Sequence, residues 1–153
     1  MHRFILADAQ KCIGCRTCEV ACVVSHQSEQ NCAALSPAGF QPRIQVVKTA
    51  QVSVPVMCRQ CEDAPCAAVC PTGALINDAD SVQIAAERCI GCKTCMVACP
   101  YGAVAVVFPA GEKKVADIQR HGQVVKCDLC KGRDNGPACV EACPTGALVC
   151  LDS

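Results

Sequence analysis

Apolar residues along this chain come in short runs, broken by cysteine-rich loops, polar turns and prolines. Arg3 to Ala7 predicts a short strand leading into Cys12, and Arg16 to Val24 and Lys93 to Ala98 predict short helices directly behind their loops. Proline ends the second helix at Cys99 and also follows Cys70 and Cys143, which pushes those positions out of helical backbone. Ala74–Ile76 and Val82–Ile84 flank Asn77-Asp78-Ala79-Asp80 and predict a hairpin, and Val104–Val107 and Ala147–Val149 predict two further strands. Residues 25–57 carry Pro37, Gly39 and Pro42, then the strand-like runs Arg43–Val47 and Val52–Val56. Residues 109–123 are charged and contain glycine. These two stretches read either as connecting loops or as surface that docks partners.

The pattern repeats. Cys12-Ile-Gly-Cys15-Arg-Thr-Cys18-Glu-Val-Ala-Cys22 recurs 77 positions later as Cys89-Ile-Gly-Cys92-Lys-Thr-Cys95-Met-Val-Ala-Cys99. Cys58-x2-Cys61-x4-Cys66-x3-Cys70-Pro-Thr-Gly-Ala-Leu recurs as Cys127-x2-Cys130-x8-Cys139-x3-Cys143-Pro-Thr-Gly-Ala-Leu, with four extra residues before its third cysteine. Residues 1–78 and 79–153 therefore read as a duplicated two-motif unit.

Composition says what must fill the interior. The chain has no Trp, one Tyr and three Phe, and its 52% apolar content is largely Ala, Val and Cys. Such side chains alone build a weak core, whereas metal clusters fill space and tie folding to metal binding. The formal net charge is zero. Four thiolates around an oxidised [4Fe-4S] core leave about −2, so four clusters would bring the holoprotein to roughly −8. No basic stretch or aromatic platform suggests nucleic-acid binding. No secretory leader and no apolar run approaching membrane-spanning length is present, so a cytoplasmic location is expected. A secreted disulfide scaffold fits poorly, because Cys-x2-Cys-x2-Cys crowds its thiols.

Sixteen of the eighteen cysteines lie in the four motifs. The runs Cys12/Cys15/Cys18/Cys22 and Cys89/Cys92/Cys95/Cys99-Pro100 resemble the bacterial two-cluster ferredoxin signature, in which three cysteines hold one cubane and the fourth reaches across to its neighbour. Zinc is the competing metal, but zinc sites favour two separated Cys-x2-Cys pairs. Gly14 and Gly91 let the loops turn tightly. Lys11, Arg88 and Lys126 each precede a motif's first cysteine, where Met57 breaks the trend. They read either as aids to adding an electron or as simple surface charges. Cys32 and Cys150 fall outside the motifs and are expected to be buried, inert thiols, with a redox or partner-facing role for Cys32 in its Ser/Gln/Asn-rich loop as the alternative. His2, His26 and His121 stand isolated, and no paired carboxylates, nucleophile elbow, nucleotide loop or Cys-x3-Cys-x2-Cys run appears, so no catalytic residue is expected.

In this order the motifs resemble the four-cluster iron–sulfur subunits of molybdopterin oxidoreductases, the formate dehydrogenase and dimethyl sulfoxide reductase iron–sulfur subunit family. The opening Met-His-Arg-Phe-Ile-Leu-Ala-Asp and the run Cys15-Arg-Thr-Cys18-Glu-Val-Ala-Cys22-Val-Val-Ser-His look closest to its formate dehydrogenase-linked electron-transport members. The resemblance implies an α+β, duplicated bacterial-type ferredoxin fold of two pseudo-two-fold bis-[4Fe-4S] modules. Residues 1–24 and 124–153 would form the first, residues 57–108 the second, and 25–56 and 109–123 would be connecting insertions. It also implies four cluster sets: Cys12, Cys15 and Cys18 with Cys143; Cys127, Cys130 and Cys139 with Cys22; Cys58, Cys61 and Cys66 with Cys99; and Cys89, Cys92 and Cys95 with Cys70. The chain ends would then meet. The implied role is non-catalytic electron transfer as the small subunit of a formate- or aldehyde-type enzyme. Its implied partners are a molybdenum- or tungsten-pterin subunit and a second redox subunit or carrier. An accessory role in hydrogenase or dehydrogenase maturation is the alternative. Cys22 is followed by Val23, as is usual for the first motif, and the end at Ser153 without a transmembrane tail argues against a fixed membrane anchor.

Overall fold

A computed structural model describes residues 2–108 and 122–151. Eight strands pair two by two into four separate antiparallel ribbons: β1 (Phe4–Ala7) with β8 (Leu148–Leu151), β2 (Ile44–Lys48) with β3 (Ser53–Met57), β4 (Leu75–Asn77) with β5 (Val82–Ile84), and β6 (Val104–Val107) with β7 (Gln123–Lys126). The β1–β8 register sets Phe4 opposite Leu151 and Ala7 opposite Leu148, so the two ends of the chain meet. Four short helices complete the set: α1 (Thr17–Ser25), α2 (Pro65–Ala68), α3 (Thr94–Ala98) and α4 (Ala138–Glu141). This is a duplicated α+β ferredoxin-like fold. Among the described residues no helix is long and apolar enough to cross a membrane.

None of these elements is self-sufficient. Isolated two-stranded ribbons and helices of one or two turns are at best marginal in water, so each depends on what it packs against. Two small cores supply that. One gathers Ile5, Ile44, Val46, Met57, Leu129 and Leu148 around Cys18, Cys22, Cys58, Cys127 and Cys139. The other gathers Ala64, Leu75, Val82, Val104 and Val124 around Cys66 and Cys95, with Cys70, Cys89 and Cys99 at its margin. Cysteine is therefore a principal constituent of both interiors, which explains how a chain with so few aromatics closes.

The helices start abruptly because the cysteine loops wind tightly before them. Arg16, Ala64 and Lys93, immediately ahead of α1, α2 and α3, all have left-handed backbone. Pro137, ahead of α4, is extended instead, and it ends the four extra residues of the fourth motif. At α3 the chain leaves the helix at Cys99, whose ψ of 113° is the extended geometry forced by Pro100. Gly91 (φ +71°) lies so close to the chain that a β-carbon there would stand 2.8 Å from the Gly122 backbone nitrogen.

Three features depart from the sequence reading. The segment ahead of Cys58 is more than a connecting loop: Ile44, Val46 and Met57 of the β2–β3 ribbon belong to the first core. Strand β7 pairs with β6, and Val124 packs in the second core while Cys127 packs in the first, so the chain crosses between cores at Lys126–Cys127. The short helices α2 and α4 were not foreseen, because four residues leave no readable period. Of the expected insertion at 109–123, residues 109–121 lie outside the described residues.

Candidate metal centre

The motif loops bring together thiols that are far apart in sequence. Cys12, Cys15, Cys18 and Cys143 line one enclosed cavity, walled by Ile13, Val46, Pro55 and Leu148. Cys22, Cys127, Cys130 and Cys139 line a second, walled by Ile44, Met57 and Pro137. Cys58 and Cys99 both lie close enough to Cys61 and to Cys66 to repel them as thiolates. Cys70 lies equally close to Cys92, and Cys89 and Cys92 to Cys95. Two cavities are thus each lined by four thiols drawn from separate motifs, and mutual charge repulsion links the remaining eight.

The spacing of those thiols discriminates between metals. Among the described residues, which include all eighteen cysteines, the one group of three or more donors within 4.8 Å of one another is His26, Asp128 and Cys130. No all-cysteine group is that tight. A tetrahedral zinc site, with Zn–S near 2.3 Å, draws its sulfurs to about 3.8 Å apart. Thiols held wider than this suit a cluster with iron at each of four corners, and the donor set fits a [4Fe-4S] group.

A second pattern repeats across the motifs. The Thr17 hydroxyl donates to Cys15 Sγ at 3.3 Å, and Thr94 donates to Cys92 Sγ at 3.4 Å. Thr72 and Thr145 stand 3.7 Å from the sulfurs of Cys70 and Cys143. Each is a Cys-x-Thr step, a signal present in the sequence and passed over there. The Thr17 and Thr94 hydrogen bonds hold the Cys15 and Cys92 thiols below their ordinary range. At Cys70 and Cys143 burial opposes ionisation, but backbone N–H groups and the threonine hydroxyls outweigh it, and both thiols are lowered. Burial dominates elsewhere: it pushes Cys18 up to about 11 and Cys127 up to about 12, and raises Cys66, Cys95 and Cys139. Iron must displace protons from these buried thiols, so loading is coupled to proton release. Backbone donors also reach sulfur, from Arg43 to Cys22 at 3.4 Å and from Ala74 to Cys70 at 3.3 Å.

Other polar groups brace the loops. Buried Glu19 accepts from the Val46 backbone at 2.6 Å, fastening α1 to the β2–β3 ribbon. His26, isolated in sequence, is not isolated in the fold: its Nε2 lies 3.1 Å from Asp128 Oδ1, and Arg43 approaches the same carboxylate at 2.5 Å. The Asp128 hydrogen bond, with a further contact to Cys22, raises His26 to about 10. Burial disfavours the Asp128 charge, but His26 and Arg43 overcome that and hold the carboxyl well below its usual range. His2 bonds the Gln60 carbonyl through Nδ1 at 2.8 Å. His121 lies outside the described residues. Cys150 is half-buried on β8 and accepts from Arg3 at 3.8 Å, whereas Cys32, expected to be buried, is exposed.

The sequence model of the 4Fe-4S dicluster domain matches residues 49–153, and that of a 4Fe-4S binding domain matches residues 9–24. The chain is 58% identical to the electron transport protein HydN of Escherichia coli (strain K12), over 99% of this chain and 89% of that one. It is 56% identical to the putative electron transport protein YsaA of the same strain, over 99% and 91%. It is 37% identical to formate hydrogenlyase subunit 2 of that strain, over 100% and 83%. Among solved structures, the BamBC active-site complex of benzoyl coenzyme A reductase with zinc contains a chain 27% identical, covering 97% of this chain and 77% of that one, with a TM-score of 0.51.

Proposed function

This chain belongs to the 4Fe-4S dicluster family, and on that premise we propose that it conducts electrons through four [4Fe-4S] clusters as the iron–sulfur subunit of a larger oxidoreductase. It is an electron-transport protein rather than a catalyst. Cys12, Cys15, Cys18 and Cys143 hold one cluster, and Cys22, Cys127, Cys130 and Cys139 the next. Cys58, Cys61, Cys66 and Cys99 hold the third, and Cys70, Cys89, Cys92 and Cys95 the fourth. The observation that carries this reading is the meeting of Cys143 with Cys12, Cys15 and Cys18 around one cavity, from opposite ends of the chain. A complete set of four thiols leaves no iron corner free for substrate.

When bound, each cluster supplies one-electron oxidation and reduction. The chain supplies the rest. Thiolates fix the positions, apolar walls exclude water, and threonine and backbone donors set the charge each site tolerates. Exposed Ile13 and Ile90, beside Cys12 and Cys89, offer apolar surface for a partner next to a ligand cysteine. The catalytic partner is a molybdenum- or tungsten-pterin subunit of formate or aldehyde type, served by a second redox subunit or carrier. The likeness to formate hydrogenlyase subunit 2 supports this. The chain works in the cytoplasm.

Anaerobic purification from the native host tests the whole reading. About 16 iron atoms per chain and a co-eluting pterin-containing chain are expected. An iron content near half that value, zinc in its place, or clusters that pass readily to an apo-acceptor would overturn it.

A further inference from the structure

Three basic residues stand immediately ahead of a motif's first cysteine, and the fold treats them differently. Lys11 is exposed and pairs with Asp8, and Arg88 is exposed. Lys126, at the end of β7, is completely buried and is the largest fully buried side chain described. Its Nζ donates to the carbonyls of Val82 and Cys127 (3.0 Å) and to Gln60 Oε1 (3.4 Å). Three acceptors match the three donors of an ammonium. The Gln60 amide orientation is set independently, since Nε2 donates to Cys127 and Oε1 accepts from the Val82 N–H.

None of the three partners is an anion, and no described carboxylate pairs with Lys126. A buried cation without a counter-charge is costly. The negative charge nearest at hand is sulfur: Gln60, which accepts from Nζ at 3.4 Å, lies between Cys58 and Cys61 and donates its own N–H to Cys58 Sγ at 3.5 Å. The duplication shows what can stand at this place without a charge. Met57, at the end of β3, precedes Cys58 as Lys126 precedes Cys127, and it is equally interior (3% exposed). Met57 lines the cavity of Cys22, Cys127, Cys130 and Cys139. The same place in the repeat holds a thioether beside one thiol set and an ammonium beside the other.

We infer that the Lys126 ammonium is the counter-charge of the cluster held by Cys58, Cys61, Cys66 and Cys99, and that it raises this cluster's reduction potential. The inference rests on the four-cluster reading above. Adding an electron makes a cluster more negative, and a desolvated cation alongside stabilises that state more than the oxidised one.

Lys126→Met tests this in the anaerobically purified, iron-loaded chain, because methionine is what the repeat itself places at the equivalent position. In a redox titration followed by electron paramagnetic resonance, one of the four reduction steps should move to more negative potential and the other three should stay. Lys126→Arg should restore it. Cys66→Ser, which alters that cluster's signal, identifies the step that moved. Unchanged potentials in a fully loaded Lys126→Met, or movement of a different cluster, would overturn the inference. If Lys126→Met fails to load while Lys126→Arg loads fully, charge is required at this place and the inference stands. If both fail, Lys126 serves shape alone and the inference is wrong. A wild-type iron content near half of 16 would count against the four-cluster reading itself, whatever the variants do.

Discussion

The side-chain amide of Gln60 donates to the carbonyl oxygen of Cys127 at 2.8 Å, tying the loop of the second cysteine motif to the start of the fourth. Gln60 is 1% exposed, has left-handed backbone (φ 51°), and donates its own N–H to Cys58 Sγ at 3.5 Å. One residue thus touches a sulfur of one module and the backbone of the other. Gln60→Leu leaves the Val82 N–H and the Cys127 carbonyl without this partner and removes one acceptor from Lys126. The expected loss is about 3 kcal/mol, since buried polar groups stripped of partners each cost about 1–3 kcal/mol. Urea unfolding of the loaded chain under anaerobic conditions measures it, and a loss under 1 kcal/mol would show that the bridge carries little.

The four Cys-x-Thr steps make a separable prediction. Thr17→Val and Thr94→Val keep the shape and remove the hydroxyl donor to Cys15 and Cys92. Each should drive only its own cluster to more negative potential, because a thiolate without its donor tolerates an added electron less well. Stability should change by no more than about 0.5 kcal/mol at these exposed positions. Equal movement of several clusters in either variant would contradict the local origin of the effect.

The His26–Asp128 pair should leave a signature in pH-dependent stability. His26 is raised from 6.5 to about 10 in the folded chain, so its contribution is fully present below pH 6.5 and is lost as pH climbs toward 10. Asp128 is depressed from 3.8, so its contribution is present above that value and is lost as pH falls below it. Between these limits the pair fastens the end of α1 to the fourth motif. Urea midpoints of the wild type should therefore decline from pH 6.5 to 10, and His26→Gln should flatten that decline. Parallel curves for the two proteins would rule the pair out as its source.

Removing iron should unfold the chain. Five of the eleven residues in the first core are cysteines, and among the described residues no helix exceeds nine residues. Without metal these thiols neither cross-link the loops nor fill the space between them, and the short elements do not persist alone. Chelation at low oxygen should abolish far-ultraviolet circular dichroism and iron absorbance together, in one transition. Retention of the helical signal after complete iron loss would show a core that stands without clusters.

The cysteine motifs carried their own meaning because the spacing of three thiols in seven residues is a local constraint, and its repetition declared the duplication. The short strands and α1 were legible for the same local reason. The groupings of four thiols came from a resemblance, and only the fold brings Cys143 beside Cys12, from the other end of the chain. The polar residues that brace and tune the sites were hidden. The contacts by which Glu19, Gln60, His26 and Asp128 join separate segments span 22 or more residues, and no spacing rule reaches that far. Lys11, Arg88 and Lys126 make the point most simply. All three precede a cysteine, so the sequence presents them as equals. Burial is decided by what other segments lie overhead. Only at Lys126 do Gln60 and Val82 close over the side chain, turning a surface charge into an interior one.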